Sequence, residues 1–134
     1  MFDACRVLIV SSDPHQCDTI RDIVARLSVQ AVACDSLSAA RTRIEGQSFQ
    51  SVLCSDDLPD CTLRTAVSVL SASTLGAPVI VLSHLADWDA YMRALAAGAF
   101  DYIACPPDPP ELERILRVAL AQNPPPRRAS HTAA

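Results

Sequence analysis

Five hydroxyl or thiol side chains follow the short apolar segments of the chain: Ser11, Ser12, Ser55, Ser83 and Cys105. If those segments are parallel strands, their carboxyl ends meet at one edge of a sheet, where open α/β sheets place their chemistry. The pattern predicts one shallow, neutral pocket whose hydroxyls bond one another or water. Such a pocket needs no cation to compensate clustered negative charge.

Two histidines give this edge a second chemical interpretation. His15 and His84 fall in loops at the same end as Ser55 and Ser83, and a serine beside a histidine is the core of many hydrolases. The chain has no G-x-S-x-G elbow, no Gly-rich oxyanion loop and no G-x-G-x-x-G turn. A small hydrolase is therefore only a distant alternative, and solvated loop histidines are the simpler interpretation.

The elements that would position these residues alternate regularly along the chain. Apolar segments predict strands at 6–10, 31–34, 51–55, 78–83 and 101–105, and each is followed by apolar residues at helical spacing. Asp13 and Pro14 suit the start of the first helix, and Gly98 suits the end of the fourth. This alternation indicates parallel strands with right-handed crossovers and helices on both faces of one sheet.

Composition restricts the class of protein. The 134 residues fit one domain, and a net charge of −4 with a pI near 5.2 argues against a nucleic-acid partner. The apolar runs are too short to span a bilayer and no secretory signal is recognisable, so we expect a cytoplasmic protein without a membrane segment. The six cysteines lack a C-x-x-C pair and zinc-site spacing, so reduced, buried thiols are expected.

Three segments together resemble one family. Residues 98–107 read Gly-Ala-Phe-Asp-Tyr-Ile-Ala-Cys-Pro-Pro, residues 7–14 read Val-Leu-Ile-Val-Ser-Ser-Asp-Pro, and residues 52–59 read Val-Leu-Cys-Ser-Asp-Asp-Leu-Pro. In this order they resemble the response-regulator receiver domain of two-component signalling, over about residues 5–121. The resemblance implies a flavodoxin-like, doubly wound parallel sheet of five strands in the order 2-1-3-4-5, with five helices.

The resemblance also assigns roles to the predicted pocket. Receivers carry an acidic pair that holds Mg²⁺, a phosphoacceptor aspartate, a hydroxyl and a lysine, and these align with Ser11 and Ser12, Ser55, Ser83 and Cys105. All eleven basic residues are arginine, so no lysine exists anywhere in the chain. Because both signs of charge are missing together, we predict a degenerate receiver that is not an enzyme, has no cofactor and binds Mg²⁺ weakly or not at all.

A shifted register would keep phosphorylation. Asp56 or Asp57 would then accept the phosphoryl group, with Asp13 as a lone metal ligand. Successive strand residues point to opposite faces and Mg²⁺ prefers several oxygen ligands, so turn acids and a helix cap are the favoured interpretation.

The resemblance also implies that the domain binds protein partners. The family's usual contact surface is the fourth helix, fifth strand and fifth helix, which here carry Asp87, Asp89, Arg93, Tyr102, Arg114 and Arg117, with Tyr102 as the switch aromatic. A histidine kinase, an output protein or a second copy would bind there in a phosphorylation-independent way. The domain is expected over residues 1–122, followed by a disordered Pro/Arg-containing tail at 123–134.

Overall fold

The computed structural model describes residues 4–125 and contains one parallel sheet with helices on both faces. The strands are β1 (Arg6–Val10), β2 (Gln30–Cys34), β3 (Ser51–Ser55), β4 (Val79–Ser83) and β5 (Asp101–Ala104). The helices are α1 (Pro14–Ala25), α2 (Leu37–Gly46), α3 (Leu63–Ser73), α4 (Trp88–Ala96) and α5 (Pro109–Gln122). The strand order β2-β1-β3-β4-β5 confirms the predicted fold.

The two faces of the sheet bury different residues of the same strands. Ile9, Leu53 and Ile80 pack towards α1 and α5, whereas their neighbours Leu8 and Val52 pack towards α2 and α3. Because successive strand side chains point to opposite faces, a continuous apolar run suits a strand covered on both sides. This explains why the inner strands β1, β3 and β4 are more apolar than the edge strands β2 and β5.

The predicted ends of the helices agree with the structure. Asp13 caps α1, where Oδ1 accepts hydrogen bonds from the N–H groups of His15 and Gln16 at 3.0 and 3.3 Å. Gly98 follows α4 with φ +101°, a conformation that side-chain-bearing residues rarely adopt. Helix α5 ends at Gln122, and most of the predicted tail, residues 126–134, lies outside the described residues.

Helix α4 is placed as expected, but the large apolar residues that marked it do not form its buried face. The buried residues are Ala90 and Ala94, while Trp88 is 69% exposed and Met92 is 44% exposed. Small alanines let the helix lie close to the sheet, so the larger side chains on its other sides remain in contact with solvent. No helix within residues 4–125 is long and apolar enough to cross a membrane.

A long-range contact fixes the turn after β3. The carboxylate of Asp60 accepts hydrogen bonds from the N–H groups of Leu37 and Ser38, at 3.1 and 3.0 Å, so it occupies the amino end of α2. These two bonds lower the pKa of Asp60 below its ordinary value. The turn at the edge of the site is thus held by a helix that lies 23 residues earlier in the chain.

Asp60→Asn is expected to lower the thermal midpoint at pH 7, because the charged acceptor at the helix terminus is lost. Since the pKa is lower in the folded state, this contribution is present above the unfolded value of about 4 and disappears as the pH falls through the folded pKa. Circular dichroism melts at pH 7 and pH 3 measure the difference, with exposed Asp35→Asn as the control. Equal midpoints for wild type and Asp60→Asn at pH 7 would contradict the assignment.

Candidate functional site

The carboxyl edge of the sheet carries all five residues predicted to form the pocket. Ser55 and Ser83 are the last residues of β3 and β4, and Ser11 directly follows β1. Cys105 follows β5 and donates its N–H to the Ser83 carbonyl at 2.7 Å. Ser11, Ser55 and Ser83 are buried, Cys105 is partly buried and Ser12 is exposed.

The serine hydroxyls are satisfied locally, which differs from the predicted cluster. Ser11 Oγ donates to Gln16 Oε1 at 2.7 Å, Ser83 Oγ accepts from the Leu85 N–H at 3.0 Å, and Ser55 Oγ donates to the Asp57 carboxylate. Within residues 4–125 no hydrogen bond joins two of these serines. Adjacent strands lie about 4.8 Å apart, so the short side chains at their ends reach the following loop more easily than one another.

The predicted residues also do not share one cavity. Ser11 and Ser12 line an open cleft of about 440 Å³ beside β2, together with Arg21 and Arg43. Cys105 lines a separate cleft of about 260 Å³ next to the amino end of α1. Ser11 and Ser12 therefore line a different cleft from Cys105, and Ser55 and Ser83 line neither of the two.

Gln16 is the site residue that sequence reasoning missed. It lies on α1, is 6% exposed, and connects to Ser11 through its amide oxygen. Its side chain also interacts with the Cys105 thiol, where it acts to lower the thiol pKa. The signal was available, since Gln16 precedes Ile20 by one helical turn and so is a polar residue on the buried face of α1.

Cys105 does not carry the charge of a lysine. Burial, and to a smaller extent the carboxylates of Asp56 and Asp57, raise the pKa of its thiol to about 11, against the smaller lowering effect of Gln16. The thiol is therefore protonated at neutral pH. It is neither a cation that could pair with a phosphate nor a reactive thiolate.

The donor set at this edge does not match the oxygen ligands that Mg²⁺ prefers. Asp13 uses its carboxylate to cap α1, Asp57 accepts from Ser55, and the backbone N–H of Asp56 donates to the Leu82 carbonyl at 3.0 Å. In the described part of the chain, no three His, Cys, Asp or Glu side chains are grouped so as to hold a metal ion. Besides these carboxylates, the edge provides hydroxyls, an amide and a protonated thiol.

The two histidines do not complete a hydrolytic site. Both are exposed and line the cleft that contains Cys105. Ser83 is bonded to the loop backbone and Ser55 to Asp57, and no serine among residues 4–125 is hydrogen-bonded to His15 or His84. A serine nucleophile requires such a base within hydrogen-bonding reach.

The predicted contact surface lies on α4, β5 and α5, but one member faces elsewhere. Arg114 and Arg117 are exposed on α5, and Asp89 is exposed on α4. Asp87 caps α4 by accepting from the Ala90 N–H at 2.7 Å. Arg93 instead lines a cleft towards α3, together with Asp56 and Arg64.

Tyr102 is held on the inner side of this surface. Its ring meets that of Tyr91 edge-on, with centroids 5.9 Å apart. Its hydroxyl is the one buried side-chain polar atom of the described residues that has no hydrogen-bond partner. The ring packs against the core cluster that includes Val81 and Ala94.

Gln16→Leu is expected to destabilise the fold by about 1–3 kcal/mol, because the buried Ser11 hydroxyl loses its acceptor. Adding Ser11→Ala should recover part of that loss, since it removes the buried hydroxyl that Gln16→Leu leaves without an acceptor. Urea unfolding at pH 7 gives both values, with exposed Gln122→Leu as the control. Strict additivity of the two single changes would show that the pair does not interact.

Comparison with known proteins identifies relatives of this arrangement. The chain is 28% identical over 101 residues to the regulatory protein VanRB of Enterococcus faecalis, covering 75% of this chain and 46% of VanRB. It thus spans less than half the length of that curated relative. A putative response regulator from Chloroflexus aurantiacus superposes with a TM-score of 0.81 at 24% identity, covering 87% of this chain and 98% of that one.

A second similar structure is the receiver domain of the sensor histidine kinase PA1611 from Pseudomonas aeruginosa, with a magnesium ion coordinated in its active-site cleft. Its TM-score is 0.77 at 24% identity, covering 87% of this chain and 98% of that one. The family described as response regulator receiver domain matches residues 7–117. Together with the strand order 2-1-3-4-5, this match shows that the chain belongs to the response regulator receiver domain family.

Proposed function

We propose that this receiver domain acts in two-component signalling as a protein-binding module that does not depend on aspartyl phosphorylation. The observation that carries the proposal is that the positions aligned with the receiver's acidic pair, phosphoacceptor and lysine all hold neutral side chains. Serines lie at the ends of β1 and β3, a protonated cysteine follows β5, and the chain has no lysine. Phosphoryl transfer depends on metal ions and cations that neutralise developing charge, and these groups do not supply them.

The aligned carboxylates and the aligned lysine must be lost together if the fold is to remain stable. Clustered carboxylates without a compensating cation repel one another, and a buried ammonium without carboxylates is costly. The hydrogen bonds from Ser11 to Gln16 and from Ser83 to the Leu85 N–H support this interpretation, since they leave the edge satisfied without either charge. Mg²⁺ is then not required, and the domain works through its surface.

Partner binding is assigned to the face formed by α4, β5 and α5. Tyr102 is packed on its inner side, and exposed charges surround it. Without a phosphate to move the Ser83 hydroxyl, this face keeps one arrangement, so binding is constitutive rather than switched. A kinase or an output protein is the expected class of partner.

One observation favours a second candidate, a receiver that is phosphorylated on a displaced aspartate. The carboxylate of Asp57 returns towards the sheet to accept the Ser55 hydroxyl, so an acid does lie beside the acceptor position. Asp57 is exposed, and Asp13, which would be the metal ligand, is already used as a helix cap. The first test below separates the two candidates.

Incubation with Mg²⁺ and acetyl phosphate or phosphoramidate is expected to leave the intact mass of the protein unchanged. A family member that retains the acidic residues and lysine serves as the positive control in the same buffer. A stoichiometric, hydroxylamine-labile adduct would overturn the proposal, and its loss in Asp57→Asn but not in Asp56→Asn would assign it to the second candidate.

Ser55→Asp alone is expected not to restore phosphorylation. The new carboxylate would lie beside that of Asp57 without a compensating cation, so the variant should also be less stable than Ser55→Ala. Phosphorylation should require Asp at positions 11, 12 and 55 together with Cys105→Lys. Intact mass and thermal midpoint report both effects, and an adduct on the single variant would refute this account of the site.

A further inference from the structure

An aromatic groove lies beside α4 at the start of α5. Its volume is about 420 Å³, and its lining includes Trp88, Tyr91 and Tyr102, with the carboxylates of Asp87 and Glu111 at its rim. The three rings are the only tryptophan and both tyrosines of the chain. They form one continuous cluster, because Tyr91 lies 5.4 Å from Trp88 and 5.9 Å from Tyr102, measured between ring centroids.

The composition of this groove matches one class of ligand. Grooves lined by tryptophan and tyrosine bind extended proline-rich segments, whose rings pack on aromatic faces and whose polyproline II conformation costs little entropy to order. Trp88 is 69% exposed, so its face is available for such packing. The acidic rim adds a preference for arginine, which pairs with carboxylates and packs over aromatic rings.

The chain itself contains a segment with this chemistry. Residues 124–128 read Pro-Pro-Pro-Arg-Arg and come directly after α5 and Asn123. The segment carries two of the chain's eleven arginines, next to three consecutive prolines. Its arginines complement Glu111, which is exposed, and Asp87, whose Oδ1 is used by the Ala90 N–H.

Chain geometry favours a second copy over the same chain as the source of this segment. Glu111 lies near the start of α5 and Gln122 at its end, which separates them by about 16 Å along the helix axis. A polyproline segment extends by about 3.1 Å per residue and resists sharp reversal. Within one chain, the three prolines would have to run back along α5 to bridge this distance. They would then lie beside the helix and could not occupy the groove.

We propose that the groove formed by Trp88, Tyr91 and Tyr102 binds Pro124–Arg128 of a second copy of the chain. This inference rests on the proposed function, because it uses the same α4-β5-α5 face. It adds the chemical class of the ligand, a proline-rich segment that carries arginine. Phosphorylation plays no part in it.

Because Trp88 lines the groove, its fluorescence can report directly on peptide binding. A synthetic peptide of residues 123–130 contains no tryptophan, so titrating it into the full-length chain should cause a saturable change in the fluorescence of Trp88 alone. Glu111→Gln is expected to weaken binding about fivefold, the effect of one exposed ion pair. Exposed Glu45→Gln on α2 is the matched control and should bind as the wild type does.

Sedimentation equilibrium tests whether the bound segment comes from a second copy of the chain. The full-length chain should associate at high concentration, and Arg127→Gln with Arg128→Gln should abolish that association while circular dichroism shows an intact fold. No fluorescence change with the peptide, or equal binding by a peptide with both arginines replaced by glutamine, would overturn the inference. A monomer whose Trp88 emission shifts on replacing its own arginines would overturn the second-copy assignment. Neither result bears on the mass measurement that tests phosphorylation, so the two failures are distinguishable.

Discussion

Charge balance at the carboxyl edge of the sheet is the constraint on which the rest of this site depends. Parallel strands bring their ends together, so any charged residues placed there are close neighbours in a partly buried environment. Carboxylates in such a position need cations, and an ammonium needs carboxylates. With Ser11, Ser55 and a protonated Cys105 in these positions, the strand ends themselves place no charge at this edge.

Two side-chain contacts connect this edge of the sheet to neighbouring helices. Gln16 joins α1 to Ser11, and Asp60 joins the turn after β3 to the start of α2. Each contact fixes a loop at the edge of the sheet to a helix, which supports the constitutive binding that we propose.

Helix α4 differs from the carboxyl edge because its largest side chains face away from the sheet. Its alanines face the sheet and its aromatic residues remain outside, so the helix presents Trp88 and Tyr91 instead of burying them. Aromatic residues that a small core does not need are available for recognition. The alanines on the inner face of α4 therefore leave Trp88 and Tyr91 free to line the groove.

The sequence by itself determined the elements, the fold class and the edge at which the site lies. Those inferences depend on local properties, because apolar runs, helix caps such as Asp13 and the order of strands and helices act over a few residues. The absence of lysine also needed no coordinates. Tertiary structure alone decided that Gln16 on α1 accepts the hydrogen bond of Ser11 at the end of β1, and that Asp60 caps α2. A hydrogen bond between residues of different elements forms only when the donor–acceptor distance is correct to within a few tenths of an ångström. A pattern of residue types carries no information at that scale.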